Sequence, residues 1–376
     1  MDFGRIASGI GLSPFIAALG GPEPLVAFSH GLGRDSMTIT ALLEGTGVLV
    51  LGRRYFLRDL SGGVIFSDTG IEWEHTYALA SRVKAACEAA GVPFFFLAKP
   101  SKAQQIAWIK TWKKGKDQPP PWRTARYFPG ERPTLAQMQR KAAAGGYHSL
   151  PDLDLAEGLY GRVTGKNTAS CTERHKIIPV EEVLNDLLVM RYGITLPKWG
   201  AMASQGDVQP NLLMIGIAAD EQRRRRNWAP KPLASGAIQR GLGAKRSKAL
   251  LDWAIRKVYP LLEMGIDKAD EEPILIGAGL PDTFKSGCFS CHYQPTSWFF
   301  TLREVKPDDF ARVVAYELRA VRRQQAEGAP KIWTSRGEDL RQGGRLLPEL
   351  VDAWASSTQV LPIQGRKGNL SDKMIH

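Results

Sequence analysis

The chain of 376 residues is long enough for two or three domains of ordinary size, or for one large α/β domain with insertions. With 43% hydrophobic and 23% charged residues it excludes a disordered or fibrous protein, and its 38 glycines and 24 prolines call for many turns. The formal net charge of +12 favours a polyanionic partner, and the absence of any long charge-free apolar run or basic-then-apolar leader pattern predicts a cytoplasmic chain with no membrane span.

Taken in order, EPLVAFSHGLGRDSMTITALL reads as an apolar strand, a glycine-rich turn and a helix. GGVIFSDTG predicts a second strand, TYALASRVKAACEAAG a helix containing a buried Cys87, and VPFFFLA a third strand. Strands alternating with helices over this stretch predict an α/β fold: a parallel sheet covered on both faces, with ligand groups at the carboxyl ends of its strands. From about residue 101 to 165 periodicity fades, and KKGKDQPPPWRTARYFPGERP looks like an insertion or substrate loop presenting Trp122, Arg123, Arg126 and Tyr127. PVEEVLNDLLVMRYG predicts a helix with Pro179 at its start, and LLMIGIAADEQRRR a strand followed by a polar loop. SKALLDWAIRKVYPLLEMG reads as a helix interrupted at Pro260, PILIGAG as a brief strand or loop, and DDFARVVAYELRAVRRQQAEG as an amphipathic helix. A polar tail follows from about residue 361.

Within SHGLGRDS, Ser29, Gly31, Gly33 and Ser36 lie between a strand and a helix, where free backbone donors and the helix dipole receive phosphate. Gly31 and Gly33 admit close backbone approach, and the two serines add hydroxyl donors. Asp35 is a candidate for holding a phosphate-bound Mg2+ or for capping the helix. The spacing matches neither GxGxxG nor GxxxxGK[ST], so the turn alone is also compatible with a purely structural role.

Among the four cysteines, Cys288 and Cys291 form a CxxC pair to which Cys171 can add a third soft ligand. Three thiolates fit a [4Fe-4S] cluster with one open iron; His292 or His175 would complete a zinc tetrahedron; a redox dithiol and plain core thiols are the remaining alternatives. Residues 223 to 248 carry nine of the positive charges and no acid. Arg223 to Arg226 suit phosphate and Trp228 suits base stacking, so DNA or RNA is the expected partner, against a solvated charge run. The helix from Phe310 to Arg323 fits core packing with a basic solvent face, a surface that another subunit or nucleic acid can share.

Together these segments resemble the PP-loop ATP pyrophosphatases, or adenine nucleotide alpha hydrolases, in the branch similar to phosphoadenosine phosphosulfate reductases. SHGLGRDS resembles the PP-loop. FSDTGIEWEHT resembles the strand-end motif at Asp68, Thr69, Gly70 and Glu72, and CTERHKIIPV the segment with Cys171 and Lys176. GIAADEQRR resembles the segment with Gly216, Asp220, Glu221 and Arg224, and GLPDTFKSGCFSCHYQP the late CxxC region. The matches keep their order over about residues 24 to 305, and the pattern is closest to phage-borne and DNA-phosphorothioation-associated members.

The resemblance implies a Rossmann-like sheet binding ATP, with Ser29, Gly31, Gly33, Arg34, Asp35, Ser36, Asp68, Thr69, Gly70, Lys176 and Arg224 as nucleotide contacts. It implies Ser36, Asp68, Asp220 and Glu221 as catalytic residues, forming an adenylate with release of pyrophosphate, aided by Mg2+. It also favours a cluster at Cys171, Cys288, Cys291 and His292, with sulfur transfer to a nucleic acid and a sulfur-donor or modification-complex partner, or a homo-oligomer. Amidation of a nucleobase precursor and a nucleotide-regulated binding subunit are the other readings. The reductases' Glu-Cys-Gly-x-His segment is absent, since no cysteine follows Cys291, which disfavours ordinary sulfonucleotide reduction. The implied organisation is nucleotide-binding core in 1–100 and 166–225, insertion in 101–165, a basic helical region with CxxC in 226–360, and a tail in 361–376.

Overall fold

The computed structural model describes residues 22–68, 72, 74–98, 125–127, 176–225, 230, 248–280, 283, 294–326, 328–332, 334 and 338–357. Its centre is a six-stranded sheet. β1 (Val26–His30) lies between β4 (Gly63–Asp68) and β7 (Asn211–Ile215), with β5 (Phe94–Ala98) beyond β4 and β8 (Ile255–Val258) beyond β7. These five strands are parallel, and β6 (Ala125–Tyr127) joins the outer edge of β5 antiparallel. A separate hairpin, β2 (Val48–Val50) and β3 (Arg53–Tyr55), follows the first helix.

From β1 the chain builds outward through β4 and β5, then returns to the other side of β1 to lay down β7 and β8. The reversal leaves a crevice beyond the carboxyl ends of β1 and β7, the position where open parallel sheets of Rossmann-like topology take ligands. Alternating side chains along each strand supply two cores. Val26, Phe28, Val64, Phe66 and Met214 face α1 (Arg34–Glu44) and α2 (Glu74–Ala89), joined by Leu261 of α6 (Pro260–Met264) and Leu275 of α7 (Lys268–Gly277). Leu25, Ala27, Ile65, Leu213 and Ile255 face α3 (Ile178–Tyr192), α4 (Leu196–Gln205) and α5 (Lys248–Ala254). Each fully buried large side chain of this kind stabilises by about 1.5–3 kcal/mol.

Two details hold the second face. Buried Asn211 accepts from the Leu25 amide at 2.8 Å and donates to the Ala254 carbonyl at 2.9 Å, tying β7 to the end of α5. A Cβ on Gly200 would stand 1.9 Å from the Leu250 carbonyl oxygen, so the contact of α4 with α5 requires glycine there.

A third apolar cluster of Trp298, Phe299, Leu302, Phe310, Val313, Leu347 and Val351 joins α8 (Thr296–Val305), α9 (Pro307–Ala326) and α10 (Leu347–Ser357). Buried Glu317 accepts from the Leu347 amide at 2.7 Å, linking α9 to α10. Among the described residues no helix is long and apolar enough to cross a membrane.

Two expectations need correction. The single interrupted helix expected through SKALLDWAIRKVYP is instead α5, then β8, then α6. Its apolar spacing suits a helix, but β8 pairs with the otherwise open edge of β7, and that ladder outweighs local periodicity. PILIG of PILIGAG is the second half of α7, whose start is set by a capping box: Asp267 accepts from the Ala269 and Asp270 amides, and Asp270 accepts from the Asp267 amide at 3.0 Å. Pro273 inside that helix removes one amide donor but does not end it.

Candidate functional site

The turn from β1 into α1 is held by its own polar atoms. Ser36 Oγ accepts from the Gly31 amide at 3.0 Å, and His30 Nδ1 accepts from the Leu32 amide at 2.8 Å. Because Nδ1 is an acceptor, the ring proton sits on Nε2 and is donated to Thr40 Oγ1 at 2.9 Å; the Thr40 hydroxyl in turn donates to the Ser36 carbonyl at 3.1 Å. Burial pushes the His30 pKa down to about 3, so the ring is neutral. These bonds hold Leu32, fully buried, at a φ of 54°, a left-handed conformation costly for a side chain without local hydrogen-bonding capacity. His30 is a structural member of the turn that sequence reasoning missed.

α1 begins after Gly33, whose extended conformation brings no capping side chain. The first-turn amides of Arg34, Asp35 and Ser36 therefore carry the helix's positive end to the wall of a cavity of about 640 Å3. Ser29, His30, Gly31 and Gly33 line it from the turn, Phe66 and Ser67 from β4, and Leu213, Ile215 and Gly216 from the end of β7. Lys176, Ile177, Val180 and Glu181 close it at the start of α3, with Ile255 and Lys257 from β8 and Lys268 from α7. Glu221 and Arg224 enter from the 3-10 turn Ala219–Arg224. A Cβ at Gly216 would lie 3.1 Å from both Asp35 Cβ and the Ser36 nitrogen, so glycine lets β7 end directly against the α1 start.

Charge pairing on the wall is extensive. Lys268 Nζ donates to Asp35 and stands 3.6 Å from Glu271 and 4.0 Å from Glu221. Desolvation pulls the Lys268 pKa down, but the three carboxylates outweigh it and hold the ammonium above the usual lysine value. Arg34 does not reach toward the cavity centre alone: it pairs with Glu271 at 3.4 Å and Glu272 at 3.5 Å and donates to the Lys268 carbonyl. Arg224 pairs with Glu221, and Lys176 with Glu72 at 3.6 Å. Glu271 is fully buried, and burial together with the charge of Asp35 pushes its pKa up to about 7 against the pull of Lys268 and Arg34.

The expected site residues thus fall into three groups. Ser29, Gly31, Gly33, Arg34, Asp35, Ser36, Lys176, Glu221 and Arg224 meet at one cavity. Asp68 is buried at the end of β4, one residue beyond the cavity-lining Ser67, where it accepts from the Tyr77 hydroxyl at 2.9 Å; Asp220 is exposed and outside the cavity wall. Thr69, Gly70, Cys171, His175, Cys288, Cys291 and His292 lie outside the described residues, as do Trp122, Arg123 and Trp228. Lys257 and Lys268 were not anticipated: the first lay in a stretch read as helix, the second in an unassigned connection.

The expectation of a protein-held metal centre, whether [4Fe-4S] or zinc, is corrected. Among the described residues no group of three or more His, Cys, Asp or Glu side chains can hold a metal ion. The physical reason at the cavity is that Asp35, Glu221 and Glu271 converge on the Lys268 ammonium, which occupies the place a cation would need. Cys87, buried in α2, has its thiol pushed up to about 12 by burial and by Glu44 and Glu88, which makes it a core residue. Comparison with family models, with curated proteins and with solved structures finds no match to this chain.

Proposed function

We propose that the switch-point cavity binds ATP, its phosphates against the β1–α1 turn, and that the chain is an AMP-forming enzyme of the PP-loop, adenine nucleotide alpha hydrolase type. One observation carries the reading: an uncapped helix start opens, at the reversal of a parallel sheet, into a cavity with an apolar wall. Phe66, Val180, Leu213 and Ile215 offer that wall to a base, while the α1 amides offer donors to phosphate oxygens. Ser36 Oγ already accepts from Gly31, which leaves its hydroxyl proton to donate to the ligand.

In this reading an acceptor oxygen attacks the α-phosphorus. The new P–O bond forms as the bridging P–O bond to the β-phosphate breaks, pyrophosphate leaves with the electron pair, and the acceptor's proton passes to solvent water. The helix start stabilises charge on the phosphates and holds the reacting groups in line. Exposed Arg223 and Arg225, flanking cavity-lining Arg224, suit a nucleic-acid acceptor with its phosphodiesters.

A second reading, a nucleotide-regulated binding subunit, is favoured by the pairing of Asp35 and Glu221 with Lys268, which occupies the cavity acids that would otherwise take a proton. One experiment tests both. ATP binding is measured by calorimetry, and AMP and pyrophosphate are quantified with and without single-stranded DNA or RNA. AMP formation that falls in Ser36→Ala supports the enzyme, binding without AMP supports the subunit, and absence of ATP binding overturns both.

A further inference from the structure

Five cationic side chains line the cavity, and among the described residues four of them already have a carboxylate: Arg34, Lys176, Arg224 and Lys268. Lys257 is the exception, with no ion pair among the described residues. It is half-buried on β8, in register with Leu213 of β7, so the two side chains share a face, and Ile255 lies on that same face. Strand alternation calls for an apolar residue there, as at Leu213, Ile215 and Ile255. Lys257 therefore sets a positive charge on an otherwise apolar wall with no carboxylate paired to it among the described residues, an arrangement suited to an anionic ligand.

The position separates Lys257 from the phosphate turn. Ser29 is level with Ile215, and Lys257 is level with Leu213, two residues earlier on β7. Two strand spacings across and two residues along place the Lys257 and Ser29 backbones about 12 Å apart. We infer that Lys257 is a second anion subsite of the same cavity, and that it takes the oxyanion of an anionic co-substrate while the β1–α1 turn holds the nucleotide. The inference rests on the nucleotide reading for the identity of the first ligand and on the charge census for the second.

Full-length wild type, Lys257→Met and Lys257→Arg are saturated with ATP and titrated by calorimetry with sodium sulfate and, separately, sodium acetate at constant ionic strength. ATP-loaded wild type binds one oxyanion; Lys257→Met weakens that step by about tenfold or more, and Lys257→Arg by less than about threefold. Ser36→Ala shows the converse pattern, weakening ATP more than the added oxyanion. Preference for sulfate or for acetate assigns the co-substrate's group, and either supports the subsite. Equal oxyanion affinity in Lys257→Met and wild type overturns it, as does failure of ATP-loaded wild type to bind either anion, since the nucleotide's own phosphates would then occupy Lys257. Loss of ATP binding with a Lys257-dependent oxyanion site intact would instead overturn the nucleotide reading and leave the subsite standing. Matching melting temperatures confirm that the variants fold.

Discussion

The amide of Gly31 donates to the hydroxyl oxygen of Ser36 at 3.0 Å, so the serine that faces the cavity is also the latch that closes the turn before it. Ser36→Ala leaves that amide without its acceptor. The expected cost is about 1–2 kcal/mol in chemical denaturation, with weaker ATP binding, whereas Ser36→Thr keeps the acceptor and most of both. Full stability and full ATP affinity in the alanine variant would show that the latch has no role.

Gly216 sits where β7 meets the first turn of α1. In Gly216→Ala the new methyl presses on Asp35 Cβ and the Ser36 nitrogen, both at 3.1 Å and one of them backbone. An expected loss of about 1–3 kcal/mol should be accompanied by a larger fall in ATP affinity than at an equally destabilised remote site such as Leu302→Ala of α8. Thermal melts and calorimetry on the two variants check this.

His30 gives an acid-side dependence. Its folded pKa of about 3 lies below the ordinary value of 6.5, so the unfolded chain binds the extra proton first. The contribution is fully present above about pH 6.5 and is lost as pH falls toward 3. His30→Gln should be less stable than wild type at pH 7, with the gap narrowing at pH 5 and below; a gap that stays constant across this range would mean the ring does not titrate differently on unfolding.

Glu271 has the opposite sign. Its folded pKa of about 7 stands above the ordinary 4.5, so the folded state binds the extra proton and stability falls as pH rises between those values. Glu271→Gln removes that slope. Relative to wild type, the variant should therefore gain stability from pH 5 to pH 8, on the order of 1 kcal/mol. A pH-independent difference in unfolding midpoints would refute it.

The first βαβ half of the fold was legible because its signals are local: short apolar runs in VAFSH and GVIFSD, a glycine-rich turn, and helices whose apolar faces recur at helical spacing. The strand VPFFFLA, the helix started near Pro179 and the amphipathic helix α9 were equally plain. β8 was not, because IRKV becomes a strand only when the β7 edge is beside it. α7 escaped because Pro273 and a terminal glycine resemble a loop, although its Asp267–Asp270 capping box was present to be read.

By itself the order of residues determined the α/β class, the strand ends that carry the polar turns, and the gathering of Ser29, Gly31, Gly33 and Ser36 between one strand and the next helix, since each depends on neighbours a few positions away. Only the tertiary structure decided the charge state of the cavity. Asp35 and Lys268 are 233 positions apart, and their pairing, like that of Arg34 with Glu271, follows from the packing of α7 on α1. Coulombic attraction acts through space, so which cations are neutralised and which, like Lys257, have no carboxylate beside them among the described residues is settled only when distant segments fold together.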